Sequence, residues 1–369
     1  MTNNETISIE KVIEALKQVE DPDLKKDLVT LNMVKDIQVE GKKVRFTVVL
    51  TTPACPLKEA IRSACINAIK LLVDKDAVVE VEMTAQVRAA QNNQILPTVK
   101  NIIAISSGKG GVGKSTISTY LAMSLMQMGA KVGLVDADVY GPSIPILFGF
   151  DEAKPEIVQI QGRDKFKPFV RNNIKLMSMG VLVPKDRPIV WRGPMATKAL
   201  NQLVIESDWG EIDYLLVDLP PGTGDVHLSL VQAVPVTAAV VITTPQKIAV
   251  ADARKGAEMF RMPQIKIPIL GVVENMSYFT PEDAPDKKYP IFGQGGGAEL
   301  AKALNTTLLG QVPFRMRIRE NGDEGKTNTF ETDPLLQASF DQIAQSFAQQ
   351  LAIRNAELSP TKKVEITTS

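Results

Sequence analysis

One short stretch constrains this chain more than any other: Gly108-Lys109-Gly110-Gly111-Val112-Gly113-Lys114-Ser115-Thr116. It matches the pattern G-x-x-x-x-G-K-S/T, and its flanks suit that pattern. The apolar run Ile102 to Ser106 predicts a strand before it. Ile117, Leu121 and Leu125 recur at helical spacing after it and predict a helix starting near Lys114. Glycines let backbone N–H groups wrap a phosphate, and a helix N-terminus adds the positive end of its dipole. Every residue from Gly108 to Thr116 is therefore expected to line bound ATP. Lys114 should reach the β and γ phosphates, and the Ser115 hydroxyl should hold Mg2+. A chance glycine-rich turn is the alternative, and the flanking strand and helix argue against it. Lys109 is a second cation early in the loop. A lysine beside a phosphate cradle has an electrostatic task available, although a solvated loop lysine would look the same.

The rhythm after residue 98 is one of short apolar strands separated by helical patterns. Val132 to Asp136, Tyr214 to Asp218, Ala239 to Thr243 and Ile269 to Glu274 are strands of this kind, and Leu308 to Val312 is a further candidate. Nearly all-apolar strands suit a mostly parallel sheet with helices on both faces, an α/β fold. Asp151 to Pro194 is less regular and suits a hairpin or lid. Phe340, Ile343, Phe347 and Leu351 predict a final amphipathic helix.

Ligands in open α/β sheets sit at the carboxyl ends of the strands. Three strand ends carry candidates. Asp136 and Asp138 end one strand: Asp136 either supports a metal shell or caps the Tyr140-Gly141-Pro142-Ser143 turn. Asp218 ends another and would hold Mg2+ through water. The Gly222 N–H in the following Pro220 to Asp225 loop could sense a γ-phosphate, so that loop could change shape on hydrolysis. His227, at the start of the next helix, is equally an ordinary polar contact. Asn275 follows the fifth strand; its amide has a donor and an acceptor to read a base edge, or it simply makes a turn. Pro313-Phe314 is a further candidate for flanking the base.

Residues 1–88 read as a separate small α/β unit. Ile9, Val12, Ile13 and Leu16 mark a helix that Asp21-Pro22 should close, and Lys43 to Leu50 is β-rich. Leu57, Ile61, Cys65, Ala68 and Leu72 mark a second helix, and Val78 to Met83 a last strand. Residues 89–98 read as a linker, 99–356 as the nucleotide-binding domain and 357–369 as a frayed tail.

Lys and Arg total 42, as do Asp and Glu, so there is no general attraction to nucleic acid or anionic lipid. Two cysteines, Cys55 and Cys65, fit a reducing, cytoplasmic setting rather than a disulfide framework. No secretory signal is expected at the polar, acidic N-terminus, and the apolar stretch near Val236 to Thr243 is too short to span a bilayer. A lone histidine makes no His-rich metal site.

The early Lys109 resembles the deviant Walker class of ATPases. Within that class the chain resembles the Mrp/ApbC family, which includes the Nbp-type ATPases. The match is carried by Asp136 to Pro145, Trp191-Arg192-Gly193-Pro194, Leu215 to Asp225, Glu274 to Phe279 and Phe292 to Gly297. The Asp21-Pro22-Asp23 and Thr51 to Pro56 segments resemble a small domain shared with iron–sulfur targeting factors. The resemblance implies a homodimer with two Mg-ATP at its interface. Lys109 would reach the opposite subunit's nucleotide, Asp138 would position the hydrolytic water, and Asn275 would face adenine. It also implies handling of a 4Fe–4S or other iron–sulfur cluster, with assembly scaffolds and apo-proteins as partners and neither nucleic acid nor membrane among them. The family's usual Cys-x-x-Cys is missing: Thr280 to Tyr289 contains no cysteine. That leaves Cys55 as the candidate cluster ligand, since Pro56 suits a first helical position and a helix N-terminus favours thiolate. Cys65 sits in the apolar stripe of the same helix, about 15 Å of rise further on, too far to share an iron. A nucleotide-switched chaperone, scaffold or positioning ATPase with no cluster is the competing function.

Overall fold

A computed structural model describes residues 7–90, 95–182, 193–281, 283–284, 286–326, 333–359, 361 and 364. Trp191 and Arg192 of the family match lie outside the described residues, as do Glu282 and Pro285 of the cysteine-free segment and the Asp225 side chain. The chain divides into two compact units, residues 1–88 with 352–358, and residues 89–351 with 359–369.

The first unit runs α1 (Ile9–Leu16), β1 (Glu20–Asp21), β2 (Lys26–Asp27), β3 (Val34–Glu40), β4 (Lys43–Leu50), α2 (Lys58–Leu72) and β5 (Val78–Ala85). Strand β4 is central, antiparallel to β3 and parallel to β5. Its alternating Val44, Phe46, Val48 and Leu50 are buried against Ile61, Cys65 and Ile69 of α2. Asp21 does not close α1, which ends earlier, at Leu16. It turns the β1–β2 hairpin instead: its Oδ1 accepts the N–H groups of Asp23 and Leu24, each at 2.9 Å. A short carboxylate satisfies a turn's amides as readily as a helix end's.

The second unit runs β6 (Val99–Ser107), α3 (Lys114–Gln127), β7 (Val132–Asp136), α4 (Ile144–Leu147), β8 (Glu156–Ile160), β9 (Arg163–Lys167), β10 (Phe169–Arg171), β11 (Ile174–Ser178) and α5 (Gly193–Ile205). It continues through β12 (Ile212–Asp218), α6 (Asp225–Ala233), β13 (Ala238–Thr243), α7 (Lys247–Arg261), β14 (Ile269–Glu274), α8 (Gly296–Ala303), β15 (Thr307–Gln311), α9 (Met316–Asp323) and α10 (Pro334–Glu357), whose residues from 352 on belong to the first unit. Eight strands form one sheet in the order β10-β11-β7-β12-β6-β13-β14-β15. Only the pairing of β10 with β11 is antiparallel. The fold is thus the expected α/β sheet with helices on its faces. Strands β7, β12 and β13 are buried along their whole length, which is why their sequences are apolar without alternation.

The register places functional residues in rows. Ser178, Asp136 and Asp218 lie side by side on β11, β7 and β12, and Thr243, Glu274 and Gln311 lie side by side on β13, β14 and β15. All six sit at the carboxyl ends of their strands, the edge from which the chain also leaves β6 after Ser107.

Residues 151–182 hold the β8–β9 hairpin and the β10–β11 pair. The expected final helix is α10, with Phe340 stacked on Tyr120 at 5.0 Å and Phe347 edge-on to Tyr214 at 5.6 Å. Two stretches expected to be loose are partly packed. Leu96 of the linker is buried in the main core. Val364 of the tail is buried too, and its N–H donates to Val231 O at 3.1 Å. Single apolar residues in polar segments found core partners that no local pattern announces.

Gly271 of β14 sits where a Cβ would lie 2.5 Å from Leu309 Cγ and 2.6 Å from Thr307 O. Gly271→Ala is therefore expected to lower the urea midpoint by the equivalent of about 1–3 kcal/mol, the usual cost of overpacking. An unchanged midpoint would mean that β14 and β15 stand further apart than this register requires.

Candidate nucleotide site

The phosphate loop leaves β6 and lies on α7. A Cβ on Gly108 would overlap the backbone of Asp252 and Ala253, so only glycine permits that approach. Gly111 and Gly113 both adopt φ +80, the left-handed region that glycine enters without steric cost. Gly113 is the N-cap of α3, so the free amides of the helix's first turn face the loop's hollow.

Lys114 and Ser115 both converge on Asp218. The Lys114 ammonium lies 2.7 Å from Asp218 Oδ2, and the Ser115 hydroxyl donates to the same oxygen at 2.5 Å. Lys114 is 6% exposed and Asp218 fully buried, so the pair is a desolvated ion pair, costly to break from one side only. Ser118, one turn further along α3, donates to Asp218 Oδ1 at 2.7 Å. A hydroxyl and a carboxylate oxygen meeting beside a protein cation are the donors a hard cation uses, so this set fits Mg2+.

Asp136 behaves differently. Its Oδ2 accepts from Ile144 N at 3.1 Å and Ser178 Oγ at 3.0 Å, and its Oδ1 from Asp138 N at 3.2 Å. Asp136 therefore holds the backbone of Asp138 and Ile144 on either side of the Tyr140 to Ser143 turn, and the expected cap of that turn falls to Asp138 instead. Burial, and then the neighbouring Asp218, hold its carboxyl well above the ordinary carboxylate range. Asp138 Oδ1 accepts the N–H groups of Tyr140 and Gly141, each at 3.2 Å, which leaves Oδ2 for another partner.

Lys109 stands half-buried in the loop, and its carbonyl accepts the Ser107 hydroxyl at 3.2 Å. Gly222 has φ +93, and its N–H donates to Ser107 O at 2.8 Å. In this structure the Gly222 N–H thus spends its hydrogen bond on the phosphate loop's own backbone. Asn275 is brought to the phosphate loop: its Nδ2 donates to Val112 O at 2.8 Å. A cavity of about 490 Å³ opens beside it, lined by Gly113, Thr116, Asn275, Pro313, Phe314 and Arg315 among others. That volume and its mixture of apolar walls with a few polar groups suit a nucleoside.

Sequence reasoning missed Ser118 and Ser178, and it undervalued His227. The only available signal for Ser118 was a polar residue on a helix face that is otherwise apolar. His227 is 1% exposed, and neither ring nitrogen has a hydrogen-bond partner among the described residues. Burial, followed by the Lys114 charge, pushes its pKa down to about 4.

The family described as NUBPL iron-transfer P-loop NTPase matches residues 98–348. The chain belongs to this family. A second family, described as iron–sulfur cluster assembly protein, matches residues 9–83. The chain is 47% identical to a protein of Synechocystis named iron–sulfur cluster carrier protein, over 86% of this chain and 90% of that one. It is 41% identical to the chloroplastic iron–sulfur cluster assembly factor HCF101 of Arabidopsis thaliana, over 92% of this chain and 64% of that one. Among solved structures it resembles a nucleotide-binding protein of Archaeoglobus fulgidus in complex with ADP. The TM-score is 0.57 and the identity 35%, covering 65% of this chain and 92% of that one.

In the first unit of this NTPase, Cys55 is not where the sequence suggested. Helix α2 begins at Lys58 with Leu57 as its cap, so Cys55 precedes the helix instead of opening it. Burial pushes its thiol up, and Asp23 and Asp21 push the same way, against a hydrogen bond from Leu57. The dipole acts within the first turn, and Cys55 stands outside it. Cys65 is fully buried and its thiol is pushed up to about 12. Among the described residues no group of three or more His, Cys, Asp or Glu could hold a metal ion, and no helix is long and apolar enough to cross a membrane.

His227 carries a pH signature. Its pKa in the folded chain lies below the ordinary 6.5, so the unfolded chain takes up the proton first and stability falls as pH drops from about 6.5 toward about 4. His227→Gln lacks this term. Between pH 7 and pH 5, wild type is expected to lose on the order of 1–2 kcal/mol more than the variant in paired urea titrations. Equal losses would show that the folded chain tolerates a charged ring.

Proposed function

We propose that the chain is an ATP-hydrolysing iron–sulfur cluster carrier that passes clusters to apo-proteins, working as a homodimer in the cytoplasm. The observation that carries this reading is the convergence of Lys114 and Ser115 on Asp218 beside a nucleoside-sized cavity, in a chain whose relatives are named cluster carriers.

In this reading Lys114 leaves Asp218 for the β and γ phosphates, and Ser115 and Asp218 then hold Mg2+. A bound Mg2+ would neutralise phosphate charge there. The free Oδ2 of Asp138 orients the attacking water. The Gly222 N–H exchanges Ser107 O for the γ-phosphate, so the Pro220 to Asp225 loop takes one shape with ATP and another after hydrolysis. Lys109 has no ion-pair partner among the described residues and is free to reach the nucleotide of a second subunit.

The cargo side rests on Cys55. Its thiol is protonated in the free chain, and an incoming iron would displace that proton. One accessible cysteine per chain cannot supply four thiolates, so the remaining cluster ligands come from the second subunit, a small thiol, the scaffold or the client. A second reading, a nucleotide-switched chaperone or scaffold that carries no cluster, is favoured by the cysteine-free Thr280 to Tyr289 segment.

Anaerobic reconstitution with iron and sulfide separates the two. The carrier reading expects visible cluster absorption and bound iron in wild type, both lost in Cys55→Ser while ATP turnover persists. Intact turnover with no bound iron in wild type favours the scaffold. Lys109→Ala is expected to cut phosphate release by roughly 10²-fold, as for a removed transition-state donor, while ADP binding stays. Unchanged turnover would make Lys109 a plain loop cation.

A further inference from the structure

The buried carboxylate of Glu274 has no part in the reaction described so far. It ends β14, immediately before Asn275, and is fully buried. Its Oε2 accepts the N–H of Gly297 at 2.5 Å, and its Oε1 accepts the Gln311 side-chain amide at 2.6 Å. Among the described residues it makes no ion pair. A carboxylate buried with only neutral donors carries a desolvation cost that an apolar residue of similar size would not. What the charge adds is direction: two short, charge-assisted hydrogen bonds fix its rotamer and hence the strand end that bears it.

The surroundings are built around that group. Gly297 lies in the first turn of α8, and a Cβ there would lie 2.6 Å from Glu274 Cβ. The glycine run Gly295-Gly296-Gly297 thus brings a helix N-terminus, with its positive dipole end, onto the carboxylate. Gln311 is the register partner of Glu274 on β15. The main chain is held as tightly. Glu274 O accepts Val312 N at 2.9 Å and Ser277 Oγ at 2.8 Å, and Asn275 N donates to Thr243 O at 2.8 Å. The chain then turns sharply through Met276 at φ +55.

We infer that Glu274 is a positioning residue for nucleobase selection, clasping Gly297 and Gln311 so that the Asn275 amide meets the base at one angle. The inference rests on the nucleotide reading above. Asn275 cannot reverse its amide, because a reversal would turn Oδ1 against the Val112 carbonyl that Nδ2 now contacts. A fixed amide offers its acceptor and remaining donor in one order. On the Watson–Crick edge adenine presents an amine donor beside a ring-nitrogen acceptor, and guanine a carbonyl acceptor beside a ring N–H donor. Discrimination then depends on the angle of Asn275, which the clasp sets.

The test measures ADP, GDP and inorganic tripolyphosphate affinities of the full chain. The variants are Glu274→Gln, Gln311→Leu and the exchange Glu274→Gln with Gln311→Glu. Tripolyphosphate uses the phosphate loop alone. In both single variants the preference for ADP over GDP is expected to shrink roughly tenfold, about one hydrogen bond's worth, with tripolyphosphate affinity unchanged. The exchange restores the preference, since the amide it places on β14 can accept from Gly297 and donate to the carboxylate it places on β15. An unchanged ADP to GDP ratio in the single variants overturns the proposal, as does a parallel loss of ADP and tripolyphosphate affinity, which marks Glu274 as a support of the sheet edge only. Gln311→Leu changes only the sheet's edge strand and keeps the test decisive if Glu274→Gln fails to fold. A wild-type chain that binds neither ADP nor tripolyphosphate overturns the nucleotide reading along with it.

Discussion

Asp218 is a fully buried charge, and the ammonium of Lys114 at 2.7 Å balances it. The rest of the site is arranged around that pair. Asp218 must end a strand in the middle of the sheet, because only there do β7 and β6 flank it on both sides. Lys114 must open a helix whose preceding loop bends through two left-handed glycines. Ser115 and Ser118 take up the remaining lone pairs. Breaking such a pair from one side leaves an uncompensated charge and typically costs about 3–5 kcal/mol. In the proposed function, Lys114 would therefore leave Asp218 only when a phosphate receives the lysine and another cation takes its place.

The nucleotide half of the chain was legible because its chemistry depends on backbone shape. Glycine spacing, a strand before and a helix after leave one arrangement, and the strands appeared as apolar runs because both sheet faces are covered. Asp218 was legible as the polar end of such a run. The role of Asp136 was not, since a second carboxylate at a strand end reads the same whether it faces a metal or caps α4. Only the third dimension brings Ile144 and Ser178 to it. Ser118 and His227 were obscure for a related reason: their partners, or lack of partners, lie across the fold. The Cys55 expectation failed by a few residues. Placing α2 at Pro56 puts the thiol in the helix dipole, and starting it at Lys58 leaves the thiol among carboxylates with its charge disfavoured.

That difference changes what Cys55 can do. A thiolate prepared in advance would react with any electrophile or metal it met. In the proposed carrier role, a thiol held protonated by burial, Asp23 and Asp21 would become a ligand only when a cation enters and reverses the sign of the local field. Acidic neighbours that oppose ionisation in the free chain would then attract an iron-bearing partner.

The two polar rows at the sheet's carboxyl edge differ in how a ligand can act on them. The partners of Asp218 are an ammonium and hydroxyls, which a phosphate or metal also recruits, so binding competes with the contacts that hold the row together. The partners of Glu274 are a main-chain N–H and an amide, both already satisfied by its own buried carboxylate. The row of Ser178, Asp136 and Asp218 can thus exchange partners while the row of Thr243, Glu274 and Gln311 stays fixed. In the proposed function, a nucleotide spanning both rows would have its base at the fixed end and its phosphates at the changeable end, so its γ-phosphate would alter the Pro220 to Asp225 loop without loosening the base. That separation lets one sheet edge select a ligand and respond to it.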